Sequence, residues 1–131
     1  WQTSSDSVFF GVRLIESGKL IGTSGLNGYG SAHHMATTHI EISQAHRGQG
    51  FGFEAMQLVI AFGFRELSLH RIALSVASYN EGAIHLYEKL GFKHEGTARE
   101  ALQRDGQFYD SYSYGLLKQE WDNSCGEFND S

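Results

Sequence analysis

The residues best suited to chemistry lie in a turn from His46 to Gly52, where glycine occupies every second position from Gly48. Glycines carry no side chain, so they leave the backbone N–H groups of the turn unshielded. The sequence that follows has apolar residues at helical spacing, namely Met56, Val59, Ile60, Gly63, Phe64 and Leu67. A glycine turn before a helix attracts anions, because unpaired N–H donors and the positive end of the helix dipole point outward together. We therefore predict a phosphate ligand at this turn.

Two common phosphate-binding loops do not match this turn. A Walker A loop requires G-x-x-x-x-G-K-[ST], and no Lys-Ser or Lys-Thr pair follows these glycines. A dinucleotide loop requires G-x-G-x-x-G with an acidic residue closing the next strand, whereas the spacing here is G-x-G-x-G. From Arg47 to Gly52 the pattern is R-x-x-G-x-G. The turn by itself thus indicates an anion without naming it.

Composition narrows the classes of partner. A chain of 131 residues with 40% apolar residues suffices for one domain with a core. The net charge of −5 argues against a nucleic-acid partner and suits a cationic substrate such as an amine. The single cysteine, Cys125, excludes an intramolecular disulfide, and no apolar run approaches the roughly 18 residues of a membrane span. We expect a cytoplasmic protein without a membrane partner.

The two ends of the chain carry separate expectations. The chain opens at Trp1 without an initiator Met and reaches a strand almost at once, so we expect that an N-terminal strand and helices are missing. We expect one domain over residues 1–121. The polar segment over residues 122–131 is predicted to be a frayed or disordered tail.

The elements that must position the glycine turn follow from periodicity and turn residues. Two β-rich runs around Glu16–Lys19 predict a hairpin, and Asp105-Gly106 predicts a second one. Asn80 is placed as the N-cap of a helix that ends at Gly91. The predicted strands are Val8–Ile15, Leu20–Leu26, Thr37–Ile42, Arg71–Ala77, Phe92–Glu95, Gly96–Gln103 and a last strand whose face carries Phe108, Asp110, Tyr112, Tyr114 and Leu116. This order predicts a mixed α/β sheet with one βαβ crossover.

Alternation along Arg71–Ala77 predicts two different strand faces. Ile72, Leu74 and Val76 point one way, and the small residues Ala73, Ser75 and Ala77 point the other. The small face leaves room for a ligand to lie against the strand.

Three further segments, together with R-x-x-G-x-G, carry a family resemblance. They are Leu69–Ile72, the pattern N-x-x-A-x-x-L-Y-x-x-L-G-F over Asn80–Phe92, and Arg104–Asp110. On these residues the chain resembles the GNAT superfamily of N-acetyltransferases over nearly its whole length. It is most similar to the branch of ribosomal-protein N-terminal acetyltransferases and spermidine acetyltransferases. The resemblance implies a mostly antiparallel α/β (α+β) fold with a splayed parallel pair, Thr37–Ile42 and Arg71–Ala77, around the pantetheine arm.

The same resemblance implies the cofactor site. Acetyl-CoA would place its pyrophosphate on the backbone N–H groups of Gly48, Gln49, Gly50, Phe51, Gly52 and Phe53. Arg47 would add a charge-assisted contact, and the strand residues Ile40, Glu41 and Ile42 would also contact the cofactor. Asn80 would cap its helix and bond the pantetheine amide. Tyr87 would protonate the coenzyme A sulfur, although its spacing alone also fits core packing.

The general base is left open between two residues. Glu41 and His39 share one strand face, and either could accept the amine proton through a water. Glu41 lies where many relatives of this branch carry an apolar or aromatic residue, so a solvated strand face explains it equally well. An amine with a pKa of about 8 needs little help from a base. A backbone N–H near Ile42 or Ser43 would stabilise the oxyanion.

These features predict an acetyl-CoA-dependent N-acetyltransferase whose primary amine, on a protein N-terminus or small molecule, attacks directly in a ternary complex. The alternatives are a non-catalytic acyl-CoA-binding or sensory domain and a polyamine or antibiotic acetyltransferase. The resemblance implies acidic residues near the loop Asn27–Tyr29 for a spermidine-type enzyme, and their absence here disfavours a polyamine. We expect no metal site, since the adjacent His33 and His34 point apart in an extended chain. The strand Phe108–Leu116 could pair with a second copy in a homodimer or equally face its own core.

Overall fold

A computed structural model of the chain describes residues 7–30 and 32–129. Its elements are β1 (Ser7–Arg13), β2 (Leu20–Asn27), β3 (Met35–Ile42), a 3-10 turn (Gln44–His46), α1 (Phe51–Glu66), β4 (Arg71–Ala77), α2 (Glu81–Lys89), β5 (Lys93–Arg104), β6 (Gln107–Leu117) and α3 (Lys118–Asn129). Hydrogen bonds order the strands β1-β2-β3-β4-β6-β5 in one sheet that is mostly antiparallel with one parallel pair. The predicted mixed sheet with a βαβ crossover is confirmed, and the splay of the pair stays a prediction.

The chain divides into two compact units, Trp1–Ile72 and Ala73–Ser131. In the first unit, β1 pairs with β2 and β2 with β3, both antiparallel. The β1–β2 turn closes where Gly18 adopts a left-handed φ of 72° and donates its N–H to the carbonyl of Leu14. This is the first predicted hairpin, and it is confirmed.

The core of the first unit forms where α1 packs on β2 and β3. The buried residues of α1 are Met56, Val59, Ile60, Gly63 and Phe64. They confirm the predicted stripe, and Leu67, directly after the helix, is half-buried. Beneath Met56, two buried hydroxyls donate to carbonyls of the neighbouring strand: Ser24 Oγ to His39 O and Thr38 Oγ1 to Gly25 O, each at 2.7 Å. The polar residues in this core are therefore satisfied.

In the second unit, β5 and β6 form the hairpin that Asp105-Gly106 predicted. Both turn residues adopt left-handed φ angles, 53° and 78°, as the tight hairpin turn requires. The two strand pieces predicted before this turn are wrong in one respect, because β5 is a single strand with register shifts. At the second shift β5 passes from Ala98 to Leu102 while β6 passes only from Ser111 to Tyr109.

The predicted frayed tail is wrong as far as Asn129, because α3 continues to that residue. Polar contacts stabilise the first turns of α3: Glu120 Oε1 accepts the N–H of Leu117 at 3.0 Å, and Lys118 Nζ donates to Asp122 Oδ2 at 3.3 Å. Glu120 also pairs with Lys93 of β5, which holds its pKa below the usual 4.5. Residues 130–131 of the tail, like the expectation about the start at Trp1, fall outside the described residues. Within the described part of the chain, none of the helices combines the length and apolarity needed to cross a membrane.

Candidate active site

The glycine turn lies directly before α1. Gly48 and Gly50 adopt left-handed φ angles of 75° and 87°, and Gly50 is the N-cap residue. The first helical hydrogen bond runs from the N–H of Glu54 to the carbonyl of Gly50 at 3.1 Å, so the N–H groups of Phe51 and Gly52 precede it. A Cβ added to Gly48 or Gly50 would meet nothing within 4 Å. The turn therefore has the open face and the donors that an anion requires.

Side chains brace this turn against the end of β3. The Nε of Arg47 donates to the carbonyl of Ile42 at 2.8 Å. Ser43 Oγ and His46 Nδ1 lie 2.8 Å apart, and the ring of His46 lies 6.2 Å from that of Phe51. The turn is thus fixed both to the strand before it and to the helix after it.

A cleft of about 370 Å³ adjoins the turn within the first unit. Its lining comprises Leu20, Ile21, Gly22, Thr23, Glu41, Ile42, Ser43 and Arg47. The cleft brings together three predicted site residues, Glu41, Ile42 and Arg47. Ile40 alternates with Glu41 on β3 and does not line it. Sequence reasoning missed the β2 wall, which depends on the β2–β3 register that opposes Thr23 to Glu41.

The second candidate base, His39, has a different environment. It pairs with Gly25 in the register, and its ring lies 6.1 Å from the ring of Phe9. A Cβ on Gly25 would lie 3.1 Å from His39 Cε1, so the missing side chain lets the imidazole lie over the strand. His39 is half-buried beside Phe9, whereas Glu41 is exposed at the cleft.

The helix α2 carries the other two predicted residues. Asn80 Oδ1 accepts the N–H of Ala83 at 3.2 Å, which confirms the N-cap. Gly91 has a φ of 99° and Phe92 donates its N–H to the carbonyl of Tyr87, which confirms the predicted helix end. Tyr87 is 6% exposed, with its ring edge-on to Phe92 at 6.1 Å. Burial raises the pKa of Tyr87 above 10.0, so the phenol keeps its proton at neutral pH.

The faces of β4 follow the predicted alternation. Ile72, Leu74 and Val76 are buried, while Ser75 is exposed and its small neighbours are half-buried. The face of small residues is confirmed as the more open side of this strand.

The two adjacent histidines are exposed. His34 adopts a left-handed φ of 54°, and its carbonyl accepts the N–H of His70 at 2.7 Å. Among the side chains that the structure describes, no three from His, Cys, Asp or Glu converge as metal ligands.

Known proteins resemble the chain in sequence. Residues 1–92 match the acetyltransferase (GNAT) family, and the chain belongs to that family. An uncharacterized N-acetyltransferase p20 of Bacillus licheniformis is 34% identical over 112 residues, covering 86% of this chain and 63% of that protein. A putative ribosomal N-acetyltransferase YdaF of Bacillus subtilis (strain 168) is 33% identical, covering 83% and 60%. The chain therefore spans about half to two thirds of the relatives it matches.

Solved structures are similar as well. A spermidine/spermine N-acetyltransferase from Vibrio cholerae superposes with a TM-score of 0.84 at 31% identity. The match covers 92% of this chain and 72% of that one. Family and fold agree with the resemblance carried by the glycine turn and the Asn80–Phe92 segment.

Proposed function

We propose that this protein is an acetyl-CoA-dependent N-acetyltransferase that acetylates a primary amine. The observation that carries the proposal is the open glycine turn, where Gly48 and Gly50 present backbone donors at the start of α1. A pyrophosphate is the part of acetyl-CoA that such a turn binds. Arg47, whose Nε is bonded to Ile42, lies at the same turn and adds positive charge.

Catalysis would proceed by direct attack. The amine nitrogen forms a bond to the thioester carbon, the carbon–sulfur bond breaks, and coenzyme A leaves as a thiolate. By family resemblance, Tyr87 would donate a proton to that sulfur. A phenol with a raised pKa retains its proton until the thiolate forms. Asn80, whose side chain caps α2, would also bond the pantetheine amide.

The amine proton would pass to Glu41 or His39. The exposed carboxylate of Glu41 at the cleft favours a water-mediated transfer there. We expect Glu41→Gln to lower kcat/KM more than His39→Gln at about pH 7, where much of the amine is protonated. A larger loss from His39→Gln would assign the base to His39.

The acceptor would be a protein N-terminus or a small amine. The carboxylate of Glu41 suits a cation, and one relative of 33% identity is an Escherichia coli spermidine N(1)-acetyltransferase. That relative keeps a polyamine among the candidates, while the loop Asn27–Tyr29 lacks acidic residues that would bind one.

The test is thiol release from acetyl-CoA with a panel of peptides, polyamines, small amines and aminoglycosides, followed by mass spectrometry of the products. We expect one class to be acetylated, and Tyr87→Phe to lower kcat with the affinity for acetyl-CoA nearly unchanged. Tyr112→Phe, on β6, is the matched control. Tight coenzyme A binding without thiol release for any acceptor would instead indicate a non-catalytic acyl-CoA-binding domain.

Assembly and location belong to the same proposal. A spermidine N-acetyltransferase from Vibrio cholerae forms a dodecamer, so we expect this protein to form at least a homodimer. Light scattering of the purified protein measures its mass. The expected cytoplasmic location is tested by cell fractionation.

A further inference from the structure

Two polar contacts join the α2 region to β6. Before the helix, the N–H of Ser78 donates to the carbonyl of Asp110 at 2.9 Å. In the last turn of the helix, Glu88 Oε2 accepts a hydrogen bond from the hydroxyl of Tyr114 at 3.1 Å. Asp110 and Tyr114 are about 13 Å apart along β6. The two contacts therefore hold the turn before α2 and the last turn of α2 at two separate points of the strand.

The second contact restrains the end of a short helix. The helix has 9 residues, and Tyr87 is its buried residue. So short a helix is marginal by itself and depends on packing. Glu88 directly follows Tyr87, so the bond to Tyr114 fixes the rotation at the neighbouring position.

Tyr114 is itself rigidly placed. Its side chain is 3% exposed, and its ring lies 5.4 Å from the ring of His94. His94 is held in turn by Thr97, whose Oγ1 lies 3.1 Å from His94 Nε2. Burial, followed by the bond to Glu88, raises the pKa of Tyr114, so it stays a donor at neutral pH.

We propose that Tyr114 is a positioning residue for acetyl transfer, holding α2 through Glu88 and thereby aiming the phenol of Tyr87. The inference rests on the proposed function, in which Tyr87 protonates the leaving sulfur. Tyr114 touches neither substrate in this role and acts only through Tyr87.

A double-mutant cycle tests the role. The rates are kcat values for thiol release from saturating acetyl-CoA with the amine that the acceptor panel identifies. Tyr114→Phe should lower kcat about five-fold while KM for acetyl-CoA stays within about two-fold. In a Tyr87→Phe background the same substitution should change kcat by less than about 1.5-fold, because the group it aims is gone.

Two controls separate aiming from general damage. Tyr112→Phe removes a hydroxyl from the same strand, beside His94, and should leave kcat unchanged. Glu88→Ala should reproduce the loss seen with Tyr114→Phe, whereas Glu88→Gln keeps an acceptor oxygen and should restore most of the rate. If Tyr114→Phe does not fold, the Glu88 pair is measured in the same cycle with Tyr87→Phe.

The outcomes distinguish the two proposals. Equal losses from Tyr114→Phe with and without the Tyr87 hydroxyl would overturn the positioning role while leaving the proposed function intact. An unchanged kcat in Tyr87→Phe would overturn the proton donor and, with it, this inference. Coupling between Tyr114 and Tyr87, with rescue by Glu88→Gln, would support both.

Discussion

The glycine turn can be tested by adding one methyl group at Gly50. Its φ of 87° is left-handed, so Gly50→Ala introduces backbone strain of about 1–2 kcal/mol. The new Cβ meets no atom of the protein within 4 Å, so packing adds nothing to that cost. We expect the melting temperature to fall by several degrees.

The same methyl group would occupy the open side of the turn, where the pyrophosphate is proposed to bind. Loss of one hydrogen bond to a charged group costs about 1.5–3 kcal/mol, which corresponds to a Kd for coenzyme A about 10-fold higher or more. Isothermal titration calorimetry with coenzyme A measures Kd, and differential scanning calorimetry measures stability.

The chain supplies a matched control at Gly18. That glycine also has a left-handed φ, 72°, and an added Cβ also meets nothing within 4 Å, but it lies in the β1–β2 turn. Gly18→Ala should cost similar stability and leave Kd unchanged. If the two variants changed Kd equally, or if Gly50→Ala bound coenzyme A as the wild type does, the anion site would lie elsewhere.

Four further predictions concern residues of α1 and α2 and the cap of α2. Asn80→Ala should cost about 1 kcal/mol in urea denaturation because the cap is lost, and Asn80→Ser should recover the stability but not the coenzyme A affinity. Gly82→Ala, inside α2 with nothing within 4 Å of the new Cβ, should stabilise the protein by about 0.5–1 kcal/mol in the same assay. Met56→Ala, at a fully buried site, should cost about 2–5 kcal/mol by chemical denaturation. The pKa of Tyr87 is raised in the folded state, so its contribution to stability is present below the unfolded-state value of 10.0 and is lost as pH rises through the folded-state pKa. The free energy of unfolding, measured by denaturation from about pH 8 to 11, should therefore fall less steeply with pH for Tyr87→Phe.

Local signals predicted most of the elements. The stripe from Met56 to Phe64 is buried on α1, Asn80 caps α2, and Asp105-Gly106 turns the second hairpin. Each depends on residues within a few positions of one another, which a sequence displays directly. The glycine turn belongs to the same group, since its glycines and its helix are contiguous, and its phosphate ligand stays a prediction.

Contacts between distant residues could not be predicted in the same way. The β2 wall of the cleft depends on a register that opposes Thr23 to Glu41, and the bond of Glu88 to Tyr114 joins positions 26 apart. The polar composition of the last residues suggested a frayed tail. A residue count does not reveal the specific contacts at the start of α3, namely the capping carboxylate of Glu120 and the Lys118–Asp122 pair.

The register shifts of β5 have a consequence for how such a protein can diversify. Between Ala98 and Leu102 the strand takes up residues that β6 does not match, and Glu100 turns its N–H to Asp110 Oδ1 at 2.9 Å. The irregularity separates the tip of the hairpin from its base, where His94 pairs with Tyr114. We therefore expect a change of length at the hairpin tip, beyond Leu102, to leave the pairing of His94 with Tyr114 in register.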